Sequence, residues 1–198
     1  MTDFGENTRP SPHSSRQVVW QGRHLNMAVR GRWEFAERRA ISGIVGIVAV
    51  TDDGKLLLTE QYRPPVDARV IELPAGLAGD APGREGESLE TAARRELLEE
   101  TGYEARRLRR LCRGTSSAGI CDEVVTLFLA TGLEKRGQGG GDDAEVILVH
   151  EVPVDGIEPW LQEQEKRGVV VDLKVHAALR FCHSAAPPDG GEEHGDTD

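Results

Sequence analysis

The sequence predicts an α+β fold, a mixed sheet with helices packed on it. Segments with strand-type patterning outnumber helical ones, and their order is not a regular strand–helix alternation. The length of 198 residues fits one domain better than two. Residues 1–16 are polar and rich in Ser and Pro and read as a loose arm. Residues 184–198, SAAPPDGGEEHGDTD, carry five acidic residues and no Lys or Arg and read as a solvated tail. The folded domain is therefore expected over 17–183, with no internal repeat.

Taken in order, QVVWQG (17–22), MAVRGRWEFAER (27–38) and ISGIVGIVAVT (41–51) are β-branched or alternating segments. Asp52, Asp53 and Gly54 form a turn signal before KLLLTEQYR (55–63), which suggests a hairpin. VIEL (70–73) is a short strand candidate that ends at Pro74. ARRLRRL (105–111), VVTLFLA (124–130) and EVILVHEV (145–152) complete the strands. Helical patterns cover 88–101, 155–166 and 170–182, the last with Val171, Leu173, Val175, Ala178 and Leu179 on a mixed apolar face.

Composition narrows the function classes. Lys plus Arg number 24 against 34 Asp plus Glu, a net charge of -10, so most of the surface repels a polyanion and nucleic acid is not an expected partner. Cys112, Cys121 and Cys182 have no zinc or redox spacing, which fits a reducing compartment. No signal peptide and no apolar run of ~18 residues is visible, so the expected location is cytoplasmic, with no membrane partner.

The stretch SLETAARRELLEETGY (88–103) is the most informative. Ser88 is suited to cap a helix that Gly102 would end. At ~100° per residue from Glu96, Glu99 lies about 60° to one side and Glu100 about 40° to the other. Leu89, Ala92, Ala93 and Leu97 occupy the same arc, so the acidic trio continues the apolar stripe. Thr91, Arg94, Arg95 and Leu98 fall on the far side. Carboxylates crowded on an inward face repel one another and lose hydration. Two arrangements would relieve this: a hard divalent cation such as Mg²⁺ shared with substrate phosphates, or pairing with Arg94, Arg95 and nearby basic groups.

The spacing decides between them. Glu87, seven residues, then Arg95-Glu96-Leu97-Leu98-Glu99-Glu100-Thr101-Gly102-Tyr103 resembles the Nudix box, G-x5-E-x7-R-E-U-x-E-E-x-G-U, where U is a bulky apolar residue. Every position from Glu87 onward is matched, Tyr103 standing for the last U. Where the motif expects its first Gly the chain has Ala81. Gly76, in Glu72-Leu73-Pro74-Ala75-Gly76, resembles that glycine placed eleven residues before Glu87, which makes the intervening loop 11 − 6 = 5 residues longer. The resemblance implies a Nudix-type α/β/α sandwich with an additional N-terminal antiparallel strand region.

Flanking segments are similar to the ADP-ribose and nucleoside-diphosphate-sugar pyrophosphatase branch: Trp33-Glu34-Phe35, Gln61-Tyr62-Arg63 and Glu72-Leu73-Pro74-Ala75-Gly76. That likeness implies hydrolysis of the diphosphate of a nucleoside diphosphate sugar, ADP-ribose giving AMP and ribose 5-phosphate. The implied cofactor is Mg²⁺, with Mn²⁺ as a substitute. The implied metal ligands are Ala75 through its carbonyl, Glu96, Glu99 and Glu100, with Glu145 added from across the cleft. Glu99 and Glu100 carry over as catalytic residues, and Asp143, before VILVHEVP, resembles a base for the attacking water. Arg63 and Glu72 carry over as substrate-binding residues, and Trp33 as the aromatic that stacks on the base. Arg95 is implied as a structural partner of a box carboxylate. The branch also implies a homodimer, formed through strands in 17–40. Ser117-Ala118-Gly119 has Ala where ADP-ribose hydrolases tend to carry Pro, so another nucleotide sugar such as GDP-mannose or UDP-glucose, or a dinucleotide, stays open as substrate. A ligand-sensing Nudix module without turnover is the competing reading from a different class.

Overall fold

The computed structural model describes residues 14–141 and 146–182. The chain opens with β1 (Arg16–Gln21), β2 (Leu25–Arg30) and β3 (Trp33–Arg38). β4 (Gly43–Ala49), β5 (Lys55–Arg63), β6 (Ala68–Glu72) and β7 (Ala75–Ala78) follow, and then α1 (Leu89–Thr101). After α1 come β8 (Tyr103–Thr115), β9 (Val124–Lys135) and β10 (Leu148–Pro153). α2 (Ile157–Lys166), β11 (Val170–Val171) and α3 (Leu173–Cys182) complete the described elements.

Among the described residues the strands form three sheets. β1-β2-β3 is an antiparallel meander, the expected N-terminal strand region. The second sheet has the order β7-β4-β9-β8, and its central β4–β9 pair is parallel. The third, β10-β5-β6-β11, is antiparallel except for β6–β11. Both larger sheets are mixed, as the sequence predicts.

β4 and β9 are buried on both faces, and their alternation builds two cores. Val48, Val125, Leu127 and Leu129 face α2 and α3, where they meet Leu161, Val175 and Ala178. Val45, Ile47, Ala49, Phe128 and Ala130 face the other way, onto Ala92, Ala93 and Leu97 of α1. Helices on both sides of packed sheets give the α/β/α sandwich expected of the Nudix fold.

Several expectations needed revision. Segment 27–38 is not one strand: Gly31, at φ 61, turns β2 back on β3. The turn at 52–54 forms, with Gly54 at φ 76 and its N–H donating to the Thr51 carbonyl. It does not produce a hairpin, however. The pairing stops after the Thr51 N–H to Lys55 carbonyl bond at 2.9 Å and one antiparallel bridge, Val50 to Leu56, because β4 and β5 then enter different sheets. Within 170–182, Val170 and Val171 pair with β6 and the helix begins at Leu173. β7 was not foreseen.

Candidate active site

α1 is fixed at both ends by its own residues. The Ser88 hydroxyl accepts the Thr91 N–H at 3.1 Å, and Gly102 closes the helix at φ 75, where a Cβ would be strained. Ala92, Ala93 and Leu97 then seat the helix on β4, β7 and β8. This packing turns Glu96 and Glu100 toward the strand end at Ala75.

Glu100 is only 6% exposed, and its Oε2 accepts the Ala75 N–H at 3.1 Å. Glu96 lies against Gly76 so closely that a Cβ there would stand 2.0 Å from the Glu96 carboxyl carbon. A side chain at 76 and this carboxylate exclude each other, which accounts for the glycine without any demand on φ. Burial pushes Glu96 up to about 7, against the opposing pull of Arg95. Neighbouring Glu99 and Asp80 raise it further. Glu99, the third member of the trio, stands at the rim with nearly half of its side chain exposed.

Arg95 organises the cluster. Its Nε and Nη2 donate to the two Glu87 oxygens at 3.1 Å each, and Nη2 also donates to the Leu77 carbonyl at 2.9 Å. Its Nη1 donates to Glu96 at 2.8 Å and to Glu99 at 2.9 Å. These bonds hold the Glu87 carboxyl below the usual carboxylate range. The Gly79 N–H adds a further bond to Glu87 at 3.2 Å. Helical angles put Arg95 on the far side of the helix, but its long side chain wraps round to the acidic face. Pairing and crowding therefore coexist: Arg95 neutralises Glu87 and shares Glu96 and Glu99, while Glu100 accepts the backbone N–H of Ala75.

The second cluster is close in sequence to the first. At the end of β6 Glu72 is buried, and the Arg63 Nε donates to it at 2.7 Å. Chain from Glu72 runs through Leu73 and Pro74 to Ala75, and the Pro74 carbonyl is tied to the Ile47 N–H at 2.8 Å. Trp33 stands apart, half exposed at the head of β3. Its sheet is joined to the 117–122 loop by Ala36, whose N–H donates to the Ile120 carbonyl at 2.8 Å. Asp143 and Glu145 lie outside the described residues.

Sequence reasoning missed the Leu77 carbonyl, the Gly79 N–H and Arg84. The Arg84 guanidinium lies 3.8 Å from Glu99 on the lengthened loop. Gly79, Gly83 and Gly86, at φ 77, 81 and 81, are the local turn signals of that loop.

The donor set of Glu96, Glu99, Glu100 and the Ala75 backbone is entirely oxygen, which suits a hard cation. Among the described residues no three His, Cys, Asp or Glu side chains form a ready metal cage. The Glu96 carboxylate, packed into the space a Cβ at Gly76 would fill and beside buried Glu100, is the observation that fits such an ion.

The sequence model of the NUDIX domain matches residues 42–173. An ADP-ribose pyrophosphatase of Bacillus subtilis is 36% identical over 143 residues, covering 70% of this chain and 71% of that protein. A methanol dehydrogenase activator of Bacillus methanolicus is 32% identical over 140 residues, again 70% of this chain and 71% of the relative. A crystal structure of an ADP compounds hydrolase superposes with a TM-score of 0.65, covering 86% of this chain and 90% of that one, at 21% identity. The box from Glu87 to Tyr103, the sandwich around α1 and these matches agree: the chain belongs to the Nudix hydrolase family.

Proposed function

We propose that this Nudix pyrophosphohydrolase uses Mg²⁺ to split the diphosphate of a nucleoside diphosphate sugar, with ADP-ribose, giving AMP and ribose 5-phosphate, as its principal substrate. The reading rests chiefly on the burial of Glu96 and Glu100 against the Ala75–Gly76 backbone. When bound, Mg²⁺ neutralises the diphosphate and lowers the pKa of a coordinated water. Glu96, Glu99, Glu100 and the Ala75 carbonyl would hold it, joined by Glu145. Arg95 positions these carboxylates and is itself spent on Glu87, so it does not bind substrate.

Arg63 presents a planar donor fork, its Nε held by Glu72, of the kind that matches a phosphate or sugar oxygen. Trp33 offers an exposed ring for a nucleobase to stack on. Asp143 is assigned as the base for the attacking water. Residues 17–183 act as one unit, in a cytoplasmic homodimer formed through the N-terminal strands. The half-exposed Val19, Trp20 and Met27 of those strands support that assembly.

One residue favours a second reading. Ala118, in place of the proline typical of ADP-ribose hydrolases, fits preference for a different nucleotide sugar. Incubation with Mg²⁺ and a panel of nucleotide sugars, with separation of products, tests both. The expected result is cleavage within the diphosphate, lowered at least ~10²-fold by Glu100→Gln. Parent-like turnover in that variant would remove Glu100 from its assigned role.

A further inference from the structure

β8 concentrates positive charge in a chain whose net charge is -10. Arg106, Arg107, Arg109, Arg110 and Arg113 fall within eight residues, and all five are exposed. β8 is also a terminal strand of its sheet. Many arginines elsewhere are paired with glutamates, among them Arg16, Arg38, Arg63, Arg69 and Arg95. On β8 only Arg106 has such a partner, Glu134. Arg107, Arg109, Arg110 and Arg113 have no ion pair or hydrogen bond with any described residue. Charged side chains on an edge strand discourage strand addition. That role needs a few charges, not a run of four unbalanced ones.

The position of the strip is equally specific. A cleft of about 760 Å³ is lined jointly by Arg106, Arg107 and Cys182. Residues 183–198 are joined covalently to the chain at Cys182, which lines the cleft at the start of this strip. They contain Asp189, Glu192, Glu193, Asp196 and Asp198 and no Lys or Arg.

We propose that this acidic C-terminal segment is the occupant of the β8 arginine strip, bound in cis. The reach is adequate. From Arg106 to Arg113 is seven steps, or ~24 Å at ~3.4 Å each. Random-coil dimensions for seven to sixteen residues are ~15–22 Å, enough for Asp189 to Asp198 to reach along the strand. The cleft also bears Asp52, Asp53 and Asp155. Residues 183–188 carry no acidic side chain, so the carboxylates of the segment begin beyond the stretch nearest that acidic lining. Tethering supplies a millimolar effective concentration, so individually weak surface pairs suffice. The consequence is a neutralised strip that does not recruit external polyanions.

The test is a reciprocal NMR experiment on the full chain at low salt. In one variant the five tail acids become amides: Asp189→Asn, Glu192→Gln, Glu193→Gln, Asp196→Asn and Asp198→Asn. In the other, Arg109, Arg110 and Arg113 become Ser. The tail variant is expected to shift the amide resonances of 106–113, and the strand variant those of 189–198. Both effects should vanish near 1 M salt, where the screening length is ~3 Å, and neither should depend on protein concentration. Unchanged strand resonances in the tail variant, which leaves the fold untouched, overturn the proposal. Shifts that grow with protein concentration also overturn it, by assigning the strip to the tail of a second copy.

Discussion

Glu96→Gln should abolish turnover and yet stabilise the metal-free protein. Glu96 is held near 7, above an ordinary 4.5, mainly by burial. Its folded-state value is raised, so its contribution to stability is fully present below 4.5 and is lost as pH climbs through 7. The gap corresponds to ~3 kcal/mol of penalty for the ionised form at pH 8, at ~1.4 kcal/mol per pH unit. Glutamine removes that penalty, and its carbonyl can keep the bond from Arg95 Nη1. Its amide must find a partner in the same space, which lowers the expected gain to ~1–3 kcal/mol. Thermal melts without metal at pH 8 should therefore place the variant roughly 2–10 °C above the parent, from ~2–4 °C per kcal/mol for a chain of this size. The advantage should shrink steadily toward pH 5.5. Added Mg²⁺ should raise the parent and not the variant. A variant less stable than the parent at pH 8, or a difference indifferent to pH, would refute the reasoning.

Three further substitutions probe the same architecture. Gly76→Ala puts a methyl 2.0 Å from the Glu96 carboxyl carbon. It should cost ~1–3 kcal/mol in urea unfolding and, by displacing Glu96, lower turnover ~10²-fold; parent-like kinetics would show that Glu96 has room to move. Arg95→Lys keeps the charge but loses the fork that spans Glu87, Glu96 and Glu99. A loss of ~2–3 kcal/mol by urea titration is expected, and a negligible loss would contradict the organising role given to Arg95. Ser88→Ala removes the cap on Thr91 and should cost ~1 kcal/mol in the same assay with substrate KM unchanged.

How much of this was legible beforehand depends on what kind of information each element carries. α1 could be read completely because its fixed residue types recur at fixed spacing and its caps are local. The direction of Glu96 and Glu100 followed from helical geometry, and Glu99 at the rim is the edge of the same arc. β7 was invisible because the small residues of Ala75–Ala78 carry little β-propensity, and its strand form is seen only in its pairing with β4. The β4–β5 hairpin was misjudged since Asp52–Gly54 specifies a turn but not which sheet each arm joins. Arg95 was placed by its Cα angle, whereas its partners are set by a side chain long enough to turn the corner. Arg84 could not have been placed, because nothing local to the lengthened loop says where its tip returns. The N-terminal meander was read as strands, but Gly31 within an alternating run concealed the turn between two of them.

The central claim is that the buried carboxylates of α1 hold a divalent cation. Isothermal titration of Mg²⁺ into the parent near pH 7, in buffers of different ionisation heat, tests it most directly. Saturable ion uptake with proton release is predicted, the proton coming from Glu96, and both signals should be lost in the Glu96→Gln, Glu100→Gln double variant. Uptake that is unchanged in that variant, or no uptake in the parent, would contradict the account.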